Sequence, residues 1–465
     1  MSVGPAPNAI ENRFLTRPVG RLFLSNALPM AVVMSTGGLL VVIDGIFVGR
    51  FVGAEALAAV SLAFPVVMLL TALTTLAGGG MSSLFARHLG AGSRREAGDV
   101  FAGAHGLALA IGALLIAGAL TVGPALVSAL AAGNTAVAEM AEHYLLILIL
   151  GAPIQFGLGL HADALRNEGR AGLIAGLSVL VNLLNIGGNY VAIVLLDLGV
   201  AGSALGTVGA QGVGLMLLLL VRIRDSDLVP LNALRRANWL AGWGQILSLG
   251  LPLSLTFVGM AFVASTVLVV IGSATAESAT YIAAYGVVTR LLGLAFLPQM
   301  AIALTTQSIT GNNVGAGRPD RAGAALRLAM GSAFLWCLGV ALAGAFAGAP
   351  LGALFSTDPH VVAAVAGVLR PMTALYVVSG PVLVLALHFQ AMGHPLRTAA
   401  LTLIKPWLLT PVLLVALNAL YGMDGLWFAF PVADAVLFLL ALTLVLRGRQ
   451  TAPAPSTSSA KEEAA

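Results

Sequence analysis

The chain of 465 residues is 59% hydrophobic and 9% charged, with a formal charge of +4 and a mean hydropathy of +0.98. Average soluble domains carry about 25% charged residues, so this composition excludes a soluble globule. The basic excess sits mostly between apolar runs and calls for no nucleic-acid partner. Apolar runs of about 20 residues, each long enough to cross a bilayer, recur along nearly the whole length. The first 20 residues lack an apolar core and the first hydrophobic run is long enough to be a span, so no cleavable signal peptide is expected. Spans are predicted at 24–48, 57–80, 100–122, 143–165, 172–196, 200–222, 243–272, 281–305, 324–346, 371–391, 397–420 and 424–446.

Alternate connections hold the basic residues: Arg87, Arg94 and Arg95; Arg166 and Arg170; Arg222, Arg224, Arg235 and Arg236; Arg318, Arg321 and Arg327; Arg397. The N-terminal Arg13, Arg17 and Arg21 and the C-terminal Arg447, Arg449 and Lys461 join that side. The opposite connections carry Glu55, Glu139, Asp197, Glu277, Asp358 and Asp424, with Arg50 the exception. By the positive-inside rule both termini lie in the cytoplasm, which an even number of spans satisfies.

The sequence also repeats itself. Leu89-Gly-Ala-Gly-Ser-Arg-Arg-Glu-Ala-Gly98 returns as Val314-Gly-Ala-Gly-Arg-Pro-Asp-Arg-Ala-Gly323, an offset of 225. The same offset carries Ala58-Ala59 onto Ala283-Ala284, and a nearly equal one carries Leu28-Pro29 onto Leu251-Pro252. Six spans per copy mean that both copies enter the membrane in the same direction, related by a pseudo-twofold along the membrane normal. The expected fold is an all-α polytopic membrane protein of twelve transmembrane helices in two six-helix lobes. The N-lobe covers residues 1–222, a linker 223–242, the C-lobe 243–446 and a disordered cytoplasmic tail 447–465.

A charge at mid-bilayer costs about 2.5–3.5 kcal/mol on insertion scales, so charged residues inside spans single themselves out. Asp44 stands in the apolar run 39–48 with no basic residue within a turn. The fifth span presents Ser178, Asn182, Asn185 and Asn189 on one helical face, and the sixth presents Ser203, Thr207 and Gln211. These stripes fit either a wet groove or interhelical hydrogen bonds. The fourth span adds Gln155, Gly159 and Asp163, the last three residues before Arg166 and so also placed for a local ion pair. In the second half, Asp434 reads as structural and Lys405 as a snorkelling side chain. His105, His161 and His388 lack metal-ligand spacing, the lone Cys337 excludes an intrachain disulfide, and Phe257, Met260 and Phe262 read as packing. No metal site, catalytic residue or cofactor is expected. No Gly-x-Ser-x-Gly or His-Glu-x-x-His motif points to an enzyme.

In order and spacing, several segments resemble the multidrug and toxic compound extrusion (MATE) transporters of the MOP flippase superfamily, over about Leu22 to Leu446. They are Ile43-Asp-Gly-Ile-Phe-Val-Gly49, Ala56-Leu-Ala-Ala-Val60, Leu165-Arg-Asn-Glu-Gly169, Gly311-Asn-Asn-Val-Gly-Ala316 and Gly425-Leu-Trp-Phe-Ala-Phe-Pro431. Within the family the chain looks like the DinF-like branch, because spans seven and ten lack the acids of the NorM-like branch. That resemblance implies a coupling carboxylate at Asp44, a bending proline at Pro29, and site residues at Asn185 and Thr207. Where several relatives carry a second aspartate, this chain has Asn189, which favours proton over sodium coupling.

The implied activity is export of organic, often cationic and amphipathic compounds in exchange for protons. Asp44, Asn185, Asn189, Thr207, Ser203 and Asp163 are the candidate coupling residues. Asn182, Gln211, Gln155 and Ser178 are the candidate cavity lining. The expected setting is the inner (plasma) membrane of a bacterium, which the preference for arginine over lysine and the abundance of alanine and glycine also suggest. A functional monomer, in contact with lipid and small organic substrates, is expected. The rival readings are a sodium-coupled exporter and a flippase for lipid-linked oligosaccharide. For the flippase the available cations are Arg290, Arg370 and Lys405.

Overall fold

The structure is a computed structural model that describes residues 12–131, 133–274 and 278–450; Glu277, Lys461 and the tail beyond Gln450 lie outside them. The described residues form helices and turns only. In the first half these are α1 (Val19–Phe51), α2 (Ala54–Gly90), α3 (Arg94–Thr121), α4 (Thr135–Leu150 and Ala152–Asn167, bent by 45°), α5 (Ala171–Leu195) and α6 (Gly199–Arg224). In the second half they are α7 (Trp243–Ala274), α8 (Ser278–Gly315), α9 (Pro319–Phe346), α10 (Pro359–Thr373 and Tyr376–Ala391, bent by 49°), α11 (Pro395–Leu426) and α12 (Ala429–Gln450). Ten are long and apolar enough to cross a bilayer as single helices, and the two bent pairs bring the number to twelve. Exposed leucines, valines and phenylalanines such as Leu114, Val269 and Phe346 give the bundle the apolar surface that lipid requires.

The repeat is written into the helix starts. Adding 225 to residues 19, 54, 94, 135 and 171 gives 244, 279, 319, 360 and 396; the second-half helices begin at 243, 278, 319, 359 and 395. The bends fall at matching places too, at Gly151 in α4 and at Ala374–Leu375 in α10. One expected boundary is corrected by this register. The tenth span begins at Pro359 rather than 371, because Asp358 caps the helix by accepting from the His360 amide at 2.8 Å. Arg370 and Pro371, expected at the edge of the span, lie inside the helix, where Arg370 donates to the Ala345 carbonyl at 3.2 Å. The last span likewise starts at Ala429, since Gly422 at φ +67° kinks the chain before it.

The repeated Leu/Val-Gly-Ala-Gly motif has a physical reading at each glycine. Gly92 (φ +76°) and Gly317 (φ +69°) adopt the left-handed conformation that ends α2 and α8. The amides of Ser93 and Arg318 reach back to the His88 and Asn313 carbonyls at 2.9 and 2.8 Å, completing the same cap twice. Gly90 and Gly315 serve a different purpose. A β-carbon at Gly90 would strike the Asn312 carbonyl, and one at Gly315 would strike the Arg87 carbonyl. Residues 87 and 312 are themselves 225 apart, so the two contacts are reciprocal, as a twofold between the copies requires. α2 and α8 therefore cross backbone to backbone at the arginine-rich end of the bundle.

Residues 223–242, expected as a linker, lie against the first half. Arg222 grips Glu168 bidentately at 3.0 and 3.1 Å, and the Val229 amide donates to the same carboxylate at 2.7 Å. Arg170 pairs with Asp225 at 2.6 Å, and Trp243 donates to the Gly103 carbonyl at 2.9 Å.

Candidate functional site

Close packing of α5 on α6 comes first, because it sets the reach of every side chain between them. Gly202, Gly206, Ala210 and Gly214 follow one another at steps of four along α6, a small-residue stripe that lets two backbones approach. At Gly206 a β-carbon would displace the Asn189 side chain, and at Gly202 it would meet the Ala192 backbone at 3.0 Å. Only with this stripe can Asn185 and Asn189 reach across.

The result is a hydrogen-bonded chain through three helices. Asn189 Nδ2 on α5 donates to Asp44 Oδ1 on α1 at 2.7 Å and to Asn185 Oδ1 at 3.1 Å. Asn185 Nδ2 donates to Thr207 Oγ1 on α6 at 2.9 Å, and Thr207 donates to the Ser203 carbonyl at 3.0 Å. Nδ2 of Asn189 thus faces two acceptors, which fixes the amide's orientation. Its Oδ1 is buried and has no partner among the described residues. Asn185, Asn189 and Ser203 are buried, whereas Asp44 is half-buried, about 10 Å from the end of α1 at 1.5 Å per residue. α1 runs as one helix through Pro29, whose ring leaves the Ser25 carbonyl without its helical donor.

The remaining members of the stripes behave differently. Ser178, Asn182, Gln155 and Gln211 are half-buried, and no side-chain hydrogen bond joins them to other described residues. The two explanations open for these stripes therefore divide between residues. Asn185, Asn189 and Thr207 are interhelical partners, while the other four present polar atoms that nothing in the bundle satisfies.

Asp163, grouped with the coupling residues on sequence, belongs elsewhere. Its carboxylate pairs with Arg166 at 2.8 Å, three residues along the same helix. Arg166 is the hub of a buried seam between the halves, a feature the sequence reading missed. It donates to Ser82 at 2.9 Å, to Gln307 at 3.2 Å and to Ser308 at 3.2 Å. Ser82 donates to Gln307 at 3.2 Å, and Gln307 continues to Gln390 at 2.8 Å. Gln390 in turn donates to the Leu249 carbonyl at 2.6 Å, and Asn12 ties the edge by donating to Asn312 at 2.8 Å. Ser82 and Gln307 are 225 apart, so repeat mates meet on the axis. The offset itself was the signal that could have found them. Just outside the seam, burial and the neighbouring Arg397 and Arg87 hold the His394 imidazole below its ordinary pKa.

In the second half, Lys405 pairs with Asp434 on α12 while keeping part of its side chain exposed. Of the cations that a pyrophosphate headgroup would need, Arg370 caps the Ala345 carbonyl and Arg290 is exposed, which leaves Lys405 alone pointing into the bundle. The histidines find ordinary partners: His105 and His161 pack edge to face at 5.1 Å, and His388 bonds to Thr310 at 2.9 Å. Phe262 stacks on Trp407 at 5.6 Å.

Comparison with known proteins returns one family model, MatE, matching twice, over residues 29–191 and 252–415. The chain is 26% identical over 447 residues to the FAD transporter of Shewanella oneidensis, covering 93% of this chain and 96% of that protein. It is 25% identical over 448 residues to the multidrug export protein MepA of Staphylococcus aureus, covering 94% and 96%. Among solved structures, the crystal structure of MATE in complex with MaL6 superposes with a TM-score of 0.86 at 25% identity, covering 96% of this chain and all of that one.

Proposed function

Since this chain belongs to the MatE family of membrane transporters, we propose that it is a proton-coupled antiporter exporting organic, often cationic and amphipathic, compounds, of the DinF-like branch. One observation carries the reading. Of the three acids singled out inside the spans, Asp163 is neutralised by Arg166 and Asp434 by Lys405, while Asp44 has only the Asn189 amide. A half-buried carboxylate without a cation is the group free to exchange a proton for a cationic cargo. The relatives named for FAD and for multidrug export indicate organic compounds as substrates.

Ionised Asp44 accepts from Asn189 and attracts a cation. Protonation turns it from a pure acceptor into a donor. The unpartnered Asn189 Oδ1 is then the acceptor that an amide rotation presents, at the expense of the bond to Asn185. Loss of that bond loosens α5 from Thr207 on α6, and α1 yields near Pro29. With the arginine-rich end in the bacterial cytoplasm, as the charge distribution favours, the Arg166 seam closes the inner side. The lobes, residues 1–222 and 243–446, rock about the crossing of Gly90 and Gly315. Each proton entering supplies about 2.3 kcal/mol per 100 mV, equivalent to roughly fifty-fold accumulation of cargo for one net charge. The test is export by cells carrying Asp44→Asn. The variant is expected to reach the membrane folded and to export nothing; undiminished export refutes the assignment.

A further inference from the structure

The second half contains a charged group that this cycle does not use. Lys405 and Asp434 bridge α11 and α12, the repeat mates of α5 and α6. Subtracting 225 places them at Leu180 and Gly209, within the stretch of α5 and α6 that holds Asn182, Asn185 and Thr207. The pair therefore joins the mates of α5 and α6 within five residues of where Asn185 and Thr207 join the two helices in the first half. The acid has no mate: Asp44 corresponds to Val269 on α7. Each half thus holds one partly exposed charge within its bundle, and the signs are opposite.

Lys405 is the reachable end of its pair. The side chain is 26% exposed, that of Asp434 only 3%. It continues the stripe Thr398, Leu401 and Thr402, all buried, so it points into the bundle rather than toward lipid. An ammonium has three donors, and among the described residues Lys405 spends one, on Asp434. The helix widens into a π turn over Lys405–Leu409, beginning at this residue, an irregularity frequent at functional positions. Asp434, nearly fully buried on α12, orients the ammonium without exhausting it.

We propose that Lys405 is the anion-binding side chain of a second substrate subsite, taking the carboxylate of an organic compound whose cationic end is drawn to Asp44. The inference rests on the exporter reading and narrows its cargo to zwitterions. Purified full-length protein is tested for binding, by fluorescence anisotropy, of rhodamine 110, a zwitterion, and of rhodamine 123, its cationic methyl ester. Wild type is expected to prefer the acid by about tenfold, the weight of one charge-assisted hydrogen bond. Lys405→Gln, and the double variant Lys405→Met with Asp434→Leu that leaves no lone buried charge, are expected to bind the ester as before and the acid no better. Equal wild-type affinity for the two dyes, an unchanged preference in the double variant, or parallel loss of both dyes in it overturns the proposal. Asp44→Asn separates the two claims. If that variant still exports protons-for-dye while the acid preference tracks Lys405, the coupling reading fails and the subsite stands.

Discussion

Two polar regions of this molecule are built on opposite plans. In the seam at the arginine-rich end, Arg166 has four side-chain partners, Gln307 joins Ser82 of the first half to Gln390 of the second, and Gln390 donates to the Leu249 carbonyl. At Asp44 a single amide holds the carboxylate, and that amide keeps one buried oxygen unpartnered. Groups with many partners in a low-dielectric interior specify one arrangement, whereas a group held by a single bond can change partners at small expense. In the proposed cycle the seam defines a state of the transporter, and the Asp44 chain decides when to leave it.

The strongest way to break this contrast is to forbid the seam from opening. Ser82→Cys with Gln307→Cys places two thiols at positions whose side chains now meet across the seam, for a short, reducible bifunctional linker to join, in a chain whose one native cysteine, Cys337, is buried. Cross-linking is expected to stop export completely, and reduction to restore it; full activity of the cross-linked protein would mean that the seam never opens during transport. Next in size is Arg166→Met, which leaves the half-buried Asp163 without its cation and costs at most about 3–5 kcal/mol. Thermal denaturation in detergent should show a large loss that Arg166→Met with Asp163→Leu recovers in part. A comparable substitution in the coupling chain, Asn185→Leu, should cost far less stability.

The subtlest change sharpens the contrast instead. Asn189→Asp sets a second carboxylate where an amide nitrogen now lies 2.7 Å from Asp44. Two acids this close share a proton or a metal cation, so sodium is expected to begin stimulating export by the variant. Indifference to sodium would show that residue 189 does not set the choice of ion.

Much of this was legible before any coordinates. The offset of 225 carried the duplication, and four-residue steps put Asn185 and Asn189 on one face, because helical period is a local property. The tenth span was misplaced because Arg370 and Pro371 look like a boundary, and the fourth, expected from 143 but beginning at Thr135, was short at the same end, so the offset between them hid the error. What the sequence hides is the choice of partner. Asp163 could pair locally or join Asp44, and spacing alone could not choose between them. Lys405 and Asp434 lie 29 residues apart on neighbouring helices, so each read as a separate oddity rather than as one bond. Gln307 and Ser82 passed unnoticed because neutral polar side chains stand out less than charges in an apolar run.

The central claim, that Asp44 exchanges its proton for cargo, is met most directly in proteoliposomes with pH and sodium gradients imposed separately. Wild-type protein should drive uphill dye movement under the pH gradient alone, sodium at symmetrical pH should drive none, and Asp44→Asn should respond to neither. Sodium-driven movement by wild type, or pH-driven movement by the asparagine variant, would contradict it.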